Sequence, residues 1–366
     1  MDRTERVRAV MEEKGIRQMI ICNPADVLYL SGQHTNSTEH FMGILFSADG
    51  KCRLFTNPLF AIIGQLPEGM ETVSVSRGEK DTDVMKSFLK PGETIMVDPM
   101  LQASFLLPLM KDMPETAFVP DDCCMSTVHA VKDPEEIRRM QISSQINDKV
   151  MGRLRSMLKE GITEKEIYDR LEETYRECGA DQMAFAGVCF GENAAQPHHI
   201  RPEDRKLKKG DCVLFDIGGK YDGYCSDMTR TFFFGEVSEK QKKIYELVLA
   251  ANRAAEAAVR PGVRFCDIDR AAREVIEQGG YGPYFVHTTG HGIGMEVHEA
   301  GGRVAADNET HVQAGNIFSV EPGIYLEGEF GVRIEDLVLV TEDGCRILNS
   351  FPKELEVIPA DMAAKQ

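Results

Sequence analysis

The chain has 366 residues, 42% apolar by the AVILMFWYC set and 28% charged, a globular balance that favours two domains and excludes a disordered tail. No apolar run approaches the roughly 18 residues of a membrane-spanning helix, and the opening MDRTERVRAVMEEKGIRQ is charged from its second residue, unlike a secretory leader, so a cytoplasmic protein without a membrane partner is expected. Net charge is −17, spread as −6 on residues 1–125 and −11 on the remaining 241, which excludes the basic face of a nucleic-acid partner. Ten cysteines with no C-x-x-C pair fit reduced thiols better than a disulfide framework or structural zinc.

Along the chain, Asp2 and Glu5 are placed like a capping box ahead of Val7, Val10 and Met11 at helical spacing. A strand follows over Gln18 to Cys22. Met42 to Phe46 and Cys52 to Phe55 flank the turn signal Asp49-Gly50 and read as a hairpin, with a later strand over Thr94 to Val97. These elements form an α/β domain over residues 1–125. The boundary falls near 120–133, where Asp133-Pro134-Glu135-Glu136 combines an N-cap, a proline at the first helical position and a carboxylate at the third. A long helix with the stripe Ile137, Met140, Ile146, Val150, Leu154 and Leu158 should follow, and Thr163 with Glu166 starts a second. Next come extended segments over Val213 to Gly218 and Tyr224 to Phe234, a helix pair opened by Ser238 and Gln241, and strands over 317–320 and 331–341. Helix pair, strands, helix pair, strands suggests a duplicated half within residues 126–366.

Four of nine histidines (His287, His291, His298 and His311) lie within 25 residues, and carboxylates accompany them. Asp216 in VLFDIGG and Asp227 in YCSDMTRTF are separated by the turn signal Asp222-Gly223. A two-residue loop sets Asp216 opposite Thr229 and diagonal to Asp227; a four-residue loop sets the aspartates face to face. Either register puts both carboxylates on one side of the ribbon. Like charges so close repel unless a cation lies between them. Glu321 in FSVEPGIY and Glu335 in GVRIED each sit in an apolar strand, where an unpaired charge is costly. For any one carboxylate a salt bridge or solvated strand end is the simpler reading, with Arg333 or Arg230 as partner. Together, four carboxylates and a histidine suit a pair of divalent ions (Mn, Co, Fe or Zn) better than one structural zinc.

The ordered set Asp216, Asp227, His291, Glu321 and Glu335, in the contexts D-I-G-G, S-D-x-T-R-T-F, G-H-G-I-G, E-P-G-I-Y and G-V-R-I-E-D, resembles the pita-bread metallopeptidases. That family includes methionine aminopeptidases, Xaa-Pro aminopeptidases, prolidases and the metal-free creatinases. Asn23-Pro24 and Tyr29-Leu30-Ser31-Gly32 resemble the N-terminal domain of the prolidase and aminopeptidase P branch, so the likeness covers almost the whole chain. It implies an α/β N-terminal domain (1–125) and an α+β pita-bread catalytic domain (126–366), pseudo-twofold, with an antiparallel sheet and two helix pairs.

By the same resemblance, Asp216 would chelate one metal, His291 and Glu321 the other, and Asp227 and Glu335 would bridge both, with Mn the expected ion and Co, Fe or Zn alternatives. His298 matches a position that stabilises the tetrahedral oxyanion, His287 a substrate-side histidine, and Arg333 a position near metal and substrate. An upstream catalytic histidine is either His198 or His199: the interval from Gly191 and Asn193 selects His198, while H-x-x-P and the 17-residue interval to Asp216 favour His199. The family's usual proline after the His298-Glu299 pair is replaced by Ala300-Gly301-Gly302-Arg303, a more permissive loop. The implied activity is cleavage of short proline-containing peptides by a homodimer, as Xaa-Pro dipeptidase first and Xaa-Pro aminopeptidase second, with a non-catalytic binding protein on the same fold as the remaining reading.

Overall fold

In the computed structural model, which describes residues 2–35, 39–121, 124–199 and 202–360, the chain divides into two compact units, Met1–Val128 and His129–Gln366. The first is an α/β domain on a six-stranded mixed sheet, ordered Met70–Ser74, Cys52–Thr56, Gly43–Phe46, Gln18–Ile21, Ile95–Val97, Phe118–Pro120. Gln18–Ile21 is fully buried at its centre, antiparallel to Gly43–Phe46 and parallel to Ile95–Val97. The hairpin reads as the sequence implies, with Phe46 opposite Cys52 around Asp49-Gly50. Helix Arg3–Glu13 opens with the Asp2/Glu5 capping box, and Asn23 caps helix Pro24–Ser31.

The second unit repeats one order of elements twice. Its first half has the 24-residue helix Pro134–Met157, the short helices Glu164–Tyr168 and Leu171–Cys178, and the strands Gln182–Phe190, Cys212–Tyr221, Tyr224–Cys225 and Met228–Phe234. The second half has helices Glu239–Ala258 and Phe265–Gln278 followed by Gly290–Gly292, Glu299–Val304, Ile317–Val320, Asp336–Val340 and Cys345–Ile347. These strands form two five-stranded sheets, the first completed by Val357–Ile358, and the two-stranded ribbon Gly323–Leu326/Phe330–Arg333 falls in sequence between two neighbouring strands of the second, Ile317–Val320 and Asp336–Val340. All three expected capping boxes of this unit are present, at Asp133/Glu136, Thr163/Glu166 and Ser238/Gln241. Each reciprocally satisfies two amide donors that the first helical turn leaves unpaired, which fixes where the helix starts. Helix Glu239–Ala258 buries Ile244, Tyr245, Val248, Ala251 and Ala255 along one stripe, and each large apolar side chain so buried contributes about 1.5–3 kcal/mol.

The structure departs from the expected elements in three places. The second helix is split at 169–170 into two short ones. The strand expected over Tyr224 to Phe234 is interrupted at Ser226-Asp227, and that expected over 331–341 is interrupted at Ile334-Glu335. Both strand interruptions sit on a carboxylate of the candidate site. Among the described residues no helix is long and apolar enough to cross a membrane.

Candidate metal centre

The first two carboxylates are delivered by the hairpin. Asp222 (φ 48°) and Gly223 (φ 83°) both take left-handed backbone, a two-residue loop of the kind that matches strand twist, and Tyr221 pairs with Tyr224. Of the two registers open from the sequence, this selects the first: Thr229 stands opposite Asp216, and Asp227 lies diagonal to it. Because Asp227 falls in the strand interruption, its carboxylate is spared ladder geometry and turns into the interior, where the residue is 2% exposed.

The other ligand candidates come from the second half. His291 lies in Gly290–Gly292, a strand pressed between two neighbours. A Cβ at Gly290 would sit 1.9 Å from the Ser319 carbonyl oxygen, and one at Gly292 1.8 Å from that of Gly301, so only glycine can flank the histidine. His291 Nδ1 lies 3.1 Å from the Gly292 carbonyl, which can only accept; the ring proton therefore sits on Nδ1, leaving the Nε2 lone pair free. Nε2 faces Asp227 Oδ2 at 3.5 Å and Glu321 Oε1 at 3.4 Å. Burial holds this imidazole below its ordinary pKa, so these contacts are those of a neutral ligand and not of ion pairs.

Ligand atoms of Asp227, His291 and Glu335 all lie within 4.8 Å of one another. Asp216 and Glu321 stand at the margin. Asp216 accepts a 2.6 Å bond from Arg333 Nη2, and Ser319 Oγ donates to Glu321 Oε1 at 3.2 Å. Electrostatics ties the set together. Burial, then the charges of Glu335, Asp216 and Glu321, push the Asp227 carboxyl well above the usual range, with Arg333 opposing. Burial and the charges of Glu321 and Asp216 do the same to Glu335, and burial first, then Asp216, pushes Glu321 up to about 8 against Arg333. Asp227 Oδ1 is buried with no hydrogen-bond partner. A cluster of buried carboxyls with an unused oxygen and an inward imidazole lone pair fits divalent cations.

Around this cluster, His298 lies with its ring centroid 4.0 Å from that of His291, and burial with the neighbouring His291 and His198 lowers its pKa to about 4. His287 directs Nδ1 to the Thr288 carbonyl and Nε2 to Tyr325 Oη, each at 2.7 Å. With Nδ1 the donor, Nε2 accepts the tyrosine proton, and Tyr325 Oη in turn accepts from Arg333 Nη1 at 2.8 Å. Burial and the Arg333 charge hold His287 neutral, lowering its pKa to about 3. Of the two upstream histidines, His199 lies near Glu164, its Nε2 3.6 Å from Oε2 and without a hydrogen-bond partner. His198 is exposed, and its charge bears on both His287 and His298. The expected loop over Ala300-Gly301-Gly302-Arg303 is instead strand, within Glu299–Val304, because it pairs with the His291 strand; Arg303 is exposed there and pairs with Asp307 at 2.7 Å, the ordinary surface reading of that residue. His311 is paired through its backbone with Arg264, away from the cluster.

Sequence reasoning missed Tyr325 and Thr229. Thr229 Oγ1 donates to Glu335 Oε2 at 2.7 Å and accepts from Arg333 Nε at 3.0 Å, so it joins two site residues that lie more than 100 positions further along the chain. Tyr325 stood within the E-P-G-I-Y context, and its place four residues past Glu321, in strand Gly323–Leu326, was the available signal.

Comparison with known proteins places this architecture in a known class, the metal-dependent peptidases. Models of metallopeptidase family M24 and of the creatinase/prolidase N-terminal domain match residues 138–342 and 3–128. The chain belongs to metallopeptidase family M24. An uncharacterized peptidase of Staphylococcus aureus strain MSSA476 is 35% identical over 336 residues, 91% of this chain and 94% of that one. Among solved structures, a dipeptidase from Pyrococcus horikoshii OT3 is 34% identical with TM-score 0.89, covering 97% of this chain and 100% of that one. A prolidase from Thermococcus sibiricus (34%, TM-score 0.87) and an X-Pro aminopeptidase from Thermotoga maritima MSB8 (32%, TM-score 0.82) each cover 98% of this chain and 100% of their own. The α/β N-terminal domain, the pita-bread second unit and the peptidase class expected from the sequence are thereby shown.

Proposed function

We propose that the protein is a dinuclear-metal Xaa-Pro dipeptidase, hydrolysing the bond between an N-terminal residue and proline. The observation that carries this reading is the convergence of Asp227, His291 and Glu335 within 4.8 Å around an aspartate oxygen that no protein group satisfies. Asp216, Asp227, His291, Glu321 and Glu335 would hold the ions, Mn first and Co, Fe or Zn as alternatives. Divalent ions held there would supply Lewis-acid chemistry, lowering the pKa of a bound water and polarising the scissile carbonyl.

The chain's own residues supply the rest. His298 is neutral at pH 7 and beside His291, so it can donate an N–H to the oxygen that gains negative charge as the carbonyl is attacked. His198 lies exposed on the same side and is the second candidate for that donation. Glu321, a proposed ligand that also accepts from Ser319 Oγ at 3.2 Å, is the carboxylate that would pass a proton to the leaving amine. Arg333, Tyr325 and His287 form a hydrogen-bonded wall that fixes the substrate side. With its Nε2 occupied by the tyrosine proton, His287 offers substrate a face rather than a donor. A solution homodimer in the cytoplasm is part of the same reading, and sedimentation of the purified protein tests the stoichiometry.

The dipeptidase reading is favoured by the dipeptidase and prolidase neighbours, while the X-Pro aminopeptidase neighbour keeps cleavage of longer peptides as the second. Hydrolysis of Ala-Pro beside Ala-Pro-Ala by Mn-loaded protein, read as free alanine with a chelated control, separates them. Chelator-sensitive cleavage of the dipeptide alone supports the proposal; preference for the tripeptide replaces it with the aminopeptidase, and silence on both removes it.

A further inference from the structure

The two glutamates of the cluster stand on separate stretches of chain, and each is preceded by a residue whose carbonyl is held by one side chain. Asn252, fully buried on helix Glu239–Ala258, donates through Nδ2 to the Val320 carbonyl at 3.0 Å and to the Ile334 carbonyl at 3.4 Å. Val320 precedes Glu321 and Ile334 precedes Glu335. One amide nitrogen thus ties together the two backbone positions from which those carboxylates spring. An asparagine amide can do this only in one of its two flipped orientations, and that orientation is fixed from the other end: Lys353 Nζ donates to Asn252 Oδ1 at 2.7 Å. Lys353 is itself anchored by Glu256 at 2.6 Å and Asp336 Oδ2 at 2.8 Å. Asp336 Oδ1 accepts from Arg230 Nη2, and Arg230 Nη1 donates to the Glu335 carbonyl, both at 2.6 Å.

We infer that Asn252, oriented by Lys353, is a positioning residue that sets the separation of Glu321 and Glu335 and thereby the affinity and geometry of the metal centre. The inference rests on the metal-binding part of the proposed function. At Ile334-Glu335 the strand ladder is interrupted, so Glu335 is held by separate bonds: its N–H donates to the Thr229 carbonyl at 3.1 Å, while Arg230 and Asn252 hold its own carbonyl and that of Ile334, and of these only Asn252 also reaches the chain before Glu321. Groups that orient metal ligands from behind govern affinity by about 10- to 100-fold when removed.

Asn252→Leu keeps the side chain's shape and removes both donated bonds, and Asn252→Asp keeps an acceptor for Lys353 while removing the donors. Both are read by Mn2+ affinity against a competing chelator, by the visible spectrum of bound Co2+, and by chelated denaturation to establish that the variant is folded. The expected result for either folded variant is an affinity lowered by about tenfold or more and an altered Co2+ spectrum, which loss of general stability alone would not produce. A folded variant with affinity within about twofold of the parent and an unchanged Co2+ spectrum overturns the inference. If only one variant folds, its result decides. Parent protein that binds neither ion would instead fail the proposed function, so the two failures are distinguishable.

Discussion

Removing the charge of Glu321 should stabilise the metal-free protein, and by an amount that grows with pH. In the chelated fold the Glu321 carboxyl is raised from 4.5 to about 8, chiefly by burial. A carboxyl whose folded pKa exceeds its unfolded one binds its proton more tightly in the native state, so the native state loses ground as pH rises from about 4.5 to about 8 and loses no more above that. Integrated between the two values, the penalty is about 2 kcal/mol at pH 6, about 3 at pH 7 and about 4 at pH 8. Glu321→Gln keeps the acceptor for Ser319 Oγ and removes the titration. For a unit of this size the pH 7 figure corresponds to a melting temperature raised by roughly 6–12 °C. Calorimetry of both proteins in chelator at pH 6, 7 and 8 should show the variant above the parent, with the gap widening at each step. Saturating Mn2+ should then reverse the order, since a cation replaces the proton in the parent and finds one carboxylate fewer in the variant. Parallel pH curves, or a parent more stable than the variant in chelator at pH 8, would refute the reasoning.

Asp227→Ala should abolish peptidase activity and reduce bound metal measured by elemental analysis, and full activity with normal metal content would sink the dinuclear model. Gly292→Ala should lower the melting temperature and weaken metal binding together, because its Cβ would meet the Gly301 carbonyl oxygen at 1.8 Å in the strand that carries His291; calorimetry with and without Mn2+ reads both. Lys132→Met should cost about 3–5 kcal/mol in denaturant unfolding, since Lys132 Nζ is the 3.0 Å partner of the buried Glu299 carboxylate, and the double variant Lys132→Met/Glu299→Leu should recover much of the loss.

Where structure is set by short-range chemistry, the sequence was readable. Four capping boxes fix their helix starts within three residues, and the Asp222-Gly223 turn limited the hairpin to two registers, both of which placed Asp216 and Asp227 on one side. The order of five acid and histidine contexts carried the resemblance to the peptidase family, and three of those residues, Asp227, His291 and Glu335, converge within 4.8 Å. What escaped was long-range. The strand interruptions at Asp227 and Glu335 have no local signal, because 224–234 and 332–340 contain no Gly or Pro to mark a break; they arise where a carboxylate turns inward and the ladder gives way. The surroundings of His199 were equally hidden: it lies beside Glu164, a fully buried carboxylate 35 positions earlier that accepts from Phe190 N, Asn193 Nδ2 and Glu203 N. Asn252 looked like one more polar residue on an amphipathic helix, and only the packed fold reveals the two carbonyls it joins.

The division of the donor set between the halves of the second unit carries a consequence for assembly. Asp216 and Asp227 come from the strands before helix Glu239–Ala258, and His291, Glu321 and Glu335 from those after it. Neither half owns a complete cation site. On the proposed ligand set, a chain leaving the ribosome would complete its cation site only after residue 335 has emerged, which would make metal loading a late step. The same split makes 235–238, between strand and helix, a natural place to sever the gene: two fragments, each inert, would regain chelator-sensitive activity only by meeting, with the metal as the rivet between them.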